Sequence, residues 1–116
     1  MLQRMILAIG ATVLMVATAH ADPIEGKFRT PKTGATAAVA ACGNRFCMTY
    51  TSGQFKGKQF ATFTPTGGGK YTGTITDYTS GGKKYTGKAE MVGKNIKISG
   101  CVMGGMVCKG EVFQRL

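Results

Sequence analysis

Four cysteines, Cys42, Cys47, Cys101 and Cys108, are the residues of this chain most committed to a chemistry. They stand as CGNRFC and CVMGGMVC. Four cysteines allow three connectivities, and the short spacings make Cys42–Cys47 and Cys101–Cys108 the simplest pair of disulfides. The rival reading is one zinc site built from all four. The first pair fits zinc-knuckle spacing loosely, but six residues separate the second pair, more than such sites favour. Neither pair is a redox CxxC at a helix start. The only histidine, His20, falls in an N-terminal segment that reads as removed on export. Without it there is no imidazole for acid–base work, for a triad or for a metal. Ser52, Ser80 and Ser99 then have no histidine to activate them. Lys83 and Lys84 would be nucleophiles only if desolvated, and their turn position speaks against that. Gly67-Gly68-Gly69-Lys70 lacks the GxxxxGK[ST] form of a phosphate loop and precedes a strand rather than a helix.

Asp77 is the one acid placed among apolar neighbours by the two-residue period. A buried carboxylate must be hydrogen-bonded or paired. It reads either as a turn cap before Thr79–Gly82 or as a polar anchor at a cavity mouth. Glu25, Glu90 and Glu111 form no evident pair with it by spacing, so a two-carboxylate glycosidase arrangement has no support.

The elements that position these residues begin after an export signal. Arg4 precedes an uncharged apolar run, Met5–Ala17, and Ala19-His20-Ala21 has the small-x-small form of a signal-peptidase site, so residues 1–21 are expected to be cleaved and the chain to start at Asp22. The run is short for a spanning helix. Export delivers the cysteines to an oxidising compartment, the periplasm or beyond. Each short bridge would contribute about 2–2.5 kcal/mol by loop-closure entropy. Residues 22–116 suffice for a single domain with one modest core.

Short runs of Thr, Tyr, Phe, Val and Ile alternate with Gly-bearing turns, which is strand material. Eight strands are expected, at Gly26–Thr30, Ala35–Ala41, Arg45–Ser52, Gly57–Thr64, Lys70–Tyr78, Lys83–Val92, Asn95–Cys101 and Val107–Arg115. The tetrapeptide KYTG occurs at Lys70–Gly73 and again at Lys84–Gly87. By alternation Tyr71, Gly73, Ile75 and Asp77 share a face, as do Tyr85, Gly87, Ala89 and Met91. Two adjacent inward rows of one hairpin explain the echo without a ligand, the glycines permitting curvature beside the rings.

With these strands in place, the chain resembles a bacterial exported family, the domain of unknown function two-one-four-seven. The family's opening segment stands here as Asp22-Pro23-Ile24-Glu25-Gly26-Lys27-Phe28-Arg29-Thr30. Its CG-x-x-LCG motif stands as Cys42-Gly43-Asn44-Arg45-Phe46-Cys47-Met48. Its central stretch is Tyr71–Tyr78 followed by Gly82-Lys83-Lys84-Tyr85, and its close is Gly100-Cys101, Cys108 and Phe113-Gln114-Arg115. Phe28, Tyr71 and Phe113 stand where the family usually has Trp, Met48 replaces a Gly and Tyr78 a Pro. The resemblance implies a lipocalin-like fold and export, and carries no catalytic set.

The fold expected is therefore all-β, a small antiparallel up-and-down barrel of about eight strands. Eight strands enclose packed side chains or one small ligand. Phe28, Val39, Phe46, Tyr50, Phe63, Tyr71, Ile75, Tyr85, Met91, Ile96, Ile98 and Phe113 are the large inward candidates. They suggest a mostly filled barrel with at most a shallow pocket. Tyr71, Ile75, Asp77 and Tyr85 are the candidates for a cavity or its mouth.

The chain's formal charge of +10 falls to +9 when Arg4 is removed. It rests mainly on lysine, a hydrated point charge suited to diffuse attraction toward an anionic envelope surface or polymer. It also suits simple solubility. Lys56, Lys58, Lys70, Lys83, Lys84 and Lys88 are the candidate basic surface. A nucleic-acid partner does not suit an exported protein. The reading is a monomeric, noncatalytic binding module without cofactor or metal, for a small apolar ligand or an anionic envelope component. A structural or protein-interaction domain is the alternative, ahead of an enzyme of unknown reaction.

Overall fold

The computed structural model describes residues 22–116; the expected signal segment, residues 1–21, lies outside the described residues. Eight strands run β1 (Gly26–Arg29), β2 (Thr36–Cys42), β3 (Arg45–Tyr50), β4 (Gln59–Gly67), β5 (Lys70–Asp77), β6 (Lys83–Val92), β7 (Asn95–Val102) and β8 (Val107–Arg115). Each is antiparallel to the next, and β1 pairs back onto β8, closing an up-and-down barrel. Closure leaves no free sheet edge. The hydrogen-bonded circuit of strands is complete within residues 22–116. The eight expected segments are the eight strands. The largest displacement is at β4, expected over Gly57–Thr64 and found at Gln59–Gly67.

That displacement has a local cause. Met48 faces Ala61 but the next residue, Thr49, faces Gln59, so Phe60 is an extra residue in β4. A bulge of this kind rotates a side chain out of alternation. Phe60 and Ala61, consecutive in sequence, are consequently both buried.

The KYTG echo is a structural device. β5 and β6 pair along their length with Gly73 directly opposite Gly87, and Gly87 is opposite Gly100 on β7. A Cβ at Gly73 would stand 1.7 Å from the Thr62 carbonyl oxygen, and one at Gly87 would stand 2.7 Å from Ile75. Both positions need the missing side chain for the sheet to curl this tightly.

The barrel's two ends differ. At the end where β1 begins and β8 finishes, Ile24, Phe28, Met48, Phe63 and Ile96 are fully buried. Residues 22–25 fold across this end and insert Ile24. The Asp22 carboxylate accepts from the Ile24 amide at 3.0 Å and from the Tyr71 hydroxyl. Arg115 clamps the plug. Its guanidinium lies 4.5 Å above the Phe28 ring and donates to the carbonyls of Glu25 and Lys94, each at 2.8 Å.

Both bridges form between the nearest cysteines. Cys42–Cys47 ties the β2–β3 hairpin, with Cα atoms 5.8 Å apart, and Cys101–Cys108 joins directly opposed residues of β7 and β8, with Cα atoms 4.1 Å apart. No free cysteine is left among the described residues, which removes the zinc alternative. Disulfides persist in oxidising compartments, and both bridges fit a non-cytoplasmic protein. No helix among the described residues is long and apolar enough to cross a membrane.

Candidate functional site

At the opposite end of the barrel the inward rows do not meet over a plug. They enclose an open cavity of about 510 Å³. The rest of the interior is packed, so the barrel is filled at one end and open at the other. The large residues expected to fill it do point inward, but those at this end have no counterpart of Ile24 to pack against. Instead, the β1–β2, β3–β4, β5–β6 and β7–β8 connections rise around a mouth.

The cavity wall is mainly apolar. Ile75 and Tyr85 are directly opposed on β5 and β6, and Ile98 and Phe113 supply the floor from β7 and β8. Val102 and Val107, opposed at the top of β7 and β8, form one lip. The far wall is aromatic. Tyr50 ends β3 and stacks on Phe60, with centroids 4.0 Å apart and planes 18° apart. Phe55 and Tyr78 continue the array on the outside, at 6.1 Å and 5.6 Å.

Polar groups sit toward the rim. Glu111 and Lys109 occupy the same inward row of β8 as Phe113, since Ile98 faces Glu111 and Gly100 faces Lys109. Lys32, on the β1–β2 connection, reaches Glu111 with a 3.4 Å ion pair. That pair is exposed on the lysine side and contributes little stability.

Of the two readings of Asp77, the turn cap is the one its hydrogen bonds show. The residue lines the cavity, and its carboxylate caps the single turn Tyr78–Ser80. It accepts from the Thr79 amide at 3.0 Å, the Thr79 hydroxyl at 2.5 Å and the Ser80 hydroxyl at 3.0 Å. These bonds, led by the one from the Thr79 side chain, hold its pKa below the ordinary carboxylate value. A carboxylate so held stays ionised and acts as an acceptor, not as a proton donor. Burial pushes the Tyr50 phenol upward, and the negative charges of Asp77 and Glu111 push it further, so Tyr50 stays a neutral hydroxyl.

Ile75, Asp77 and Tyr85 thus meet at one cavity. Tyr71 does not: it is the second residue of β5, near the far end of that strand from Asp77, and its hydroxyl serves the plug through Asp22. The face was readable from alternation, but the end of the barrel was not. Burial first, and then the hydrogen bond to Asp22, raise its phenol well above the ordinary range.

All six candidate surface lysines are exposed. Lys56 and Lys58 sit on the β3–β4 connection at the mouth, and Lys83 and Lys84 begin β6 there. Lys88 lies on the outer face of β6, while Lys70 stands at the plugged end. Lys32, Lys109, Glu111 and Phe60 were missed. Lys109 and Glu111 share the odd-numbered row of Phe113, a parity signal obscured by charge in a row that otherwise reads as core. Lys32 and Phe60 depend on a loop path and a bulge. Among the described residues no group of three or more His, Cys, Asp or Glu side chains could hold a metal.

No family model matches the chain, and neither a curated protein nor a solved structure matches it significantly.

Proposed function

We propose that this protein is a noncatalytic envelope module that binds a small amphipathic anion at the open end of its barrel. The apolar part of the ligand packs against Ile75, Tyr85, Ile98 and the Tyr50–Phe60 pair, and its anionic head meets Lys109 at the rim. The observation that carries this reading is the cavity itself. Its volume of about 510 Å³ falls within the range of small-molecule sites, and its wall is apolar with a few convergent polar groups. The cationic surplus around the mouth supplies the preference for an anion.

A binding role is supported over catalysis by the state of the two carboxylates at the cavity. Asp77 is engaged in its turn and Glu111 in its ion pair, and no imidazole follows His20. Membership in the exported family two-one-four-seven, processing after Ala21 and a periplasmic site of action belong to the same proposal, with the paired disulfides in its support.

The test is displacement of a fluorescent anionic probe by a series of straight-chain carboxylates. Affinity is expected to rise with chain length until the cavity is full, and to fall on Lys109→Gln. No displacement by any carboxylate, or equal displacement by the corresponding alcohols, would contradict the reading.

A further inference from the structure

The β7–β8 connection, Val102-Met103-Gly104-Gly105-Met106-Val107, carries an apolar group the barrel does not use. Met103 is 73% exposed and Met106 86%, with Val102 and Val107 also exposed beneath them. Single exposed apolar residues need no explanation, but a contiguous cluster does. The backbone sharpens the point. Met103 is the only non-glycine described residue with a positive φ, at 55°, where Gly104 and Gly105 follow at 70° and 89°. An L side chain is disfavoured in that conformation, and glycine or asparagine would turn the chain at less cost. A methionine held there contacts little of its own fold and is presented outward. The Cys101–Cys108 bridge ties the two strands together at the base of this knuckle.

The surroundings of the knuckle are cationic. The Lys88 ammonium lies beside Gly105, 3.9 Å from where a Cβ on that glycine would stand. Thr86 faces Cys101 across the antiparallel β6–β7 pair, so Lys84 and Lys83 rise on the strand beside the tip. Apolar side chains at a tip backed by lysines fit one kind of surface, an anionic lipid bilayer, with the methionines in the acyl boundary and the ammonium groups at the phosphates.

We infer that the Met103–Met106 knuckle docks the open end of the barrel onto an anionic membrane surface. The inference is independent of whether the cavity binds a ligand, because it rests on the outer tip and not on the interior. It does place the cavity lip, Val102 and Val107, at the bilayer.

The test uses residues 22–116, whose strand circuit closes on itself, with vesicles of equal parts phosphatidylglycerol and phosphatidylcholine. Co-sedimentation is expected at low salt, with little on pure phosphatidylcholine. The double variant M103S/M106S is expected to weaken binding about tenfold or more, and Lys84→Gln about fivefold. Because the chain has no tryptophan, Met106→Trp makes the tip report its own environment. Its emission is expected to shift to the blue on anionic vesicles and to be quenched by brominated lipid. Unaltered binding by M103S/M106S, or an unshifted indole emission from vesicle-bound Met106→Trp protein, would overturn the inference. So would self-association through this tip in place of vesicle binding.

Discussion

At the plugged end of the barrel, Ile24, Phe28, Met48 and Ile96 are fully buried, whereas on the same inward faces at the other end Tyr50, Ile75 and Tyr85 are only half-buried. Both ends carry large apolar residues on their inward faces. The difference is the cover. Residues 22–25 drop an isoleucine into one end and are held there by Asp22, Tyr71 and Arg115. The connection that reaches over the other end brings Lys32, which pairs with Glu111 and leaves the apolar wall uncovered. A closed sheet therefore does not by itself decide whether its interior is core or cavity; a short segment outside the strands does.

Substitutions that separate the two ends can break this comparison. The largest contrast is between two glycines of one row. Gly73→Ala would drive a methyl into the Thr62 carbonyl and is expected to cost about 4 kcal/mol or more, enough to unfold much of the population. At Gly100 an added Cβ would make ordinary contact with Tyr85 at 3.7 Å, and Gly100→Ala is expected to change stability by less than about 1 kcal/mol. Urea unfolding measures both, and similar losses would mean that the curl is not concentrated at Gly73.

Next in size is the plug. Ile24→Ala is expected to cost about 3 kcal/mol, as for a fully buried aliphatic side chain. Val107→Ala, at the exposed lip, is expected to cost less than about 1 kcal/mol. Equal costs would remove the distinction between a packed and an open end.

Smaller effects sharpen the picture at each end. Asp77→Ala is expected to lower stability by about 1 kcal/mol through loss of the cap on the Tyr78–Ser80 turn. The pKa of Asp77 is lowered in the folded state, so its contribution is full above the ordinary value of 3.8 and is lost as pH falls through the lowered value. The wild type should accordingly lose more stability in acid than Asp77→Ala does. Tyr71 works in the opposite direction. Its phenol is raised, so its contribution is complete below the ordinary value of 10.0 and declines as pH rises above it toward the raised value. Tyrosinate absorbance should show Tyr71 ionising only with alkaline unfolding, and Tyr71→Phe should remove that late step.

Much of the architecture was legible. Gly-bearing turns separated the strands, alternation placed the large residues inward, and short spacing paired the cysteines. The KYTG repeat read correctly as two adjacent rows, because period and register act locally. What was not legible was non-local. Phe60 is turned inward by a bulge that strict alternation cannot express. Ile24 precedes the first strand and gains its burial only when the barrel exists to receive it. Glu111 meets the surroundings of Asp77 through closure of the sheet, not through spacing. Tyr71 and Ile75 share a face, yet their strand carries them to opposite ends, and only the plug makes those ends unlike.

The most direct test of the open-end account is native mass spectrometry of the protein recovered from its native cells, beside Gly100→Leu. That substitution places a side chain into the cavity from a position with room for its Cβ. The account predicts a discrete added mass on the wild type, absent from a folded Gly100→Leu. A clean unliganded mass for the wild type under gentle conditions, or an adduct retained by Gly100→Leu, would contradict it.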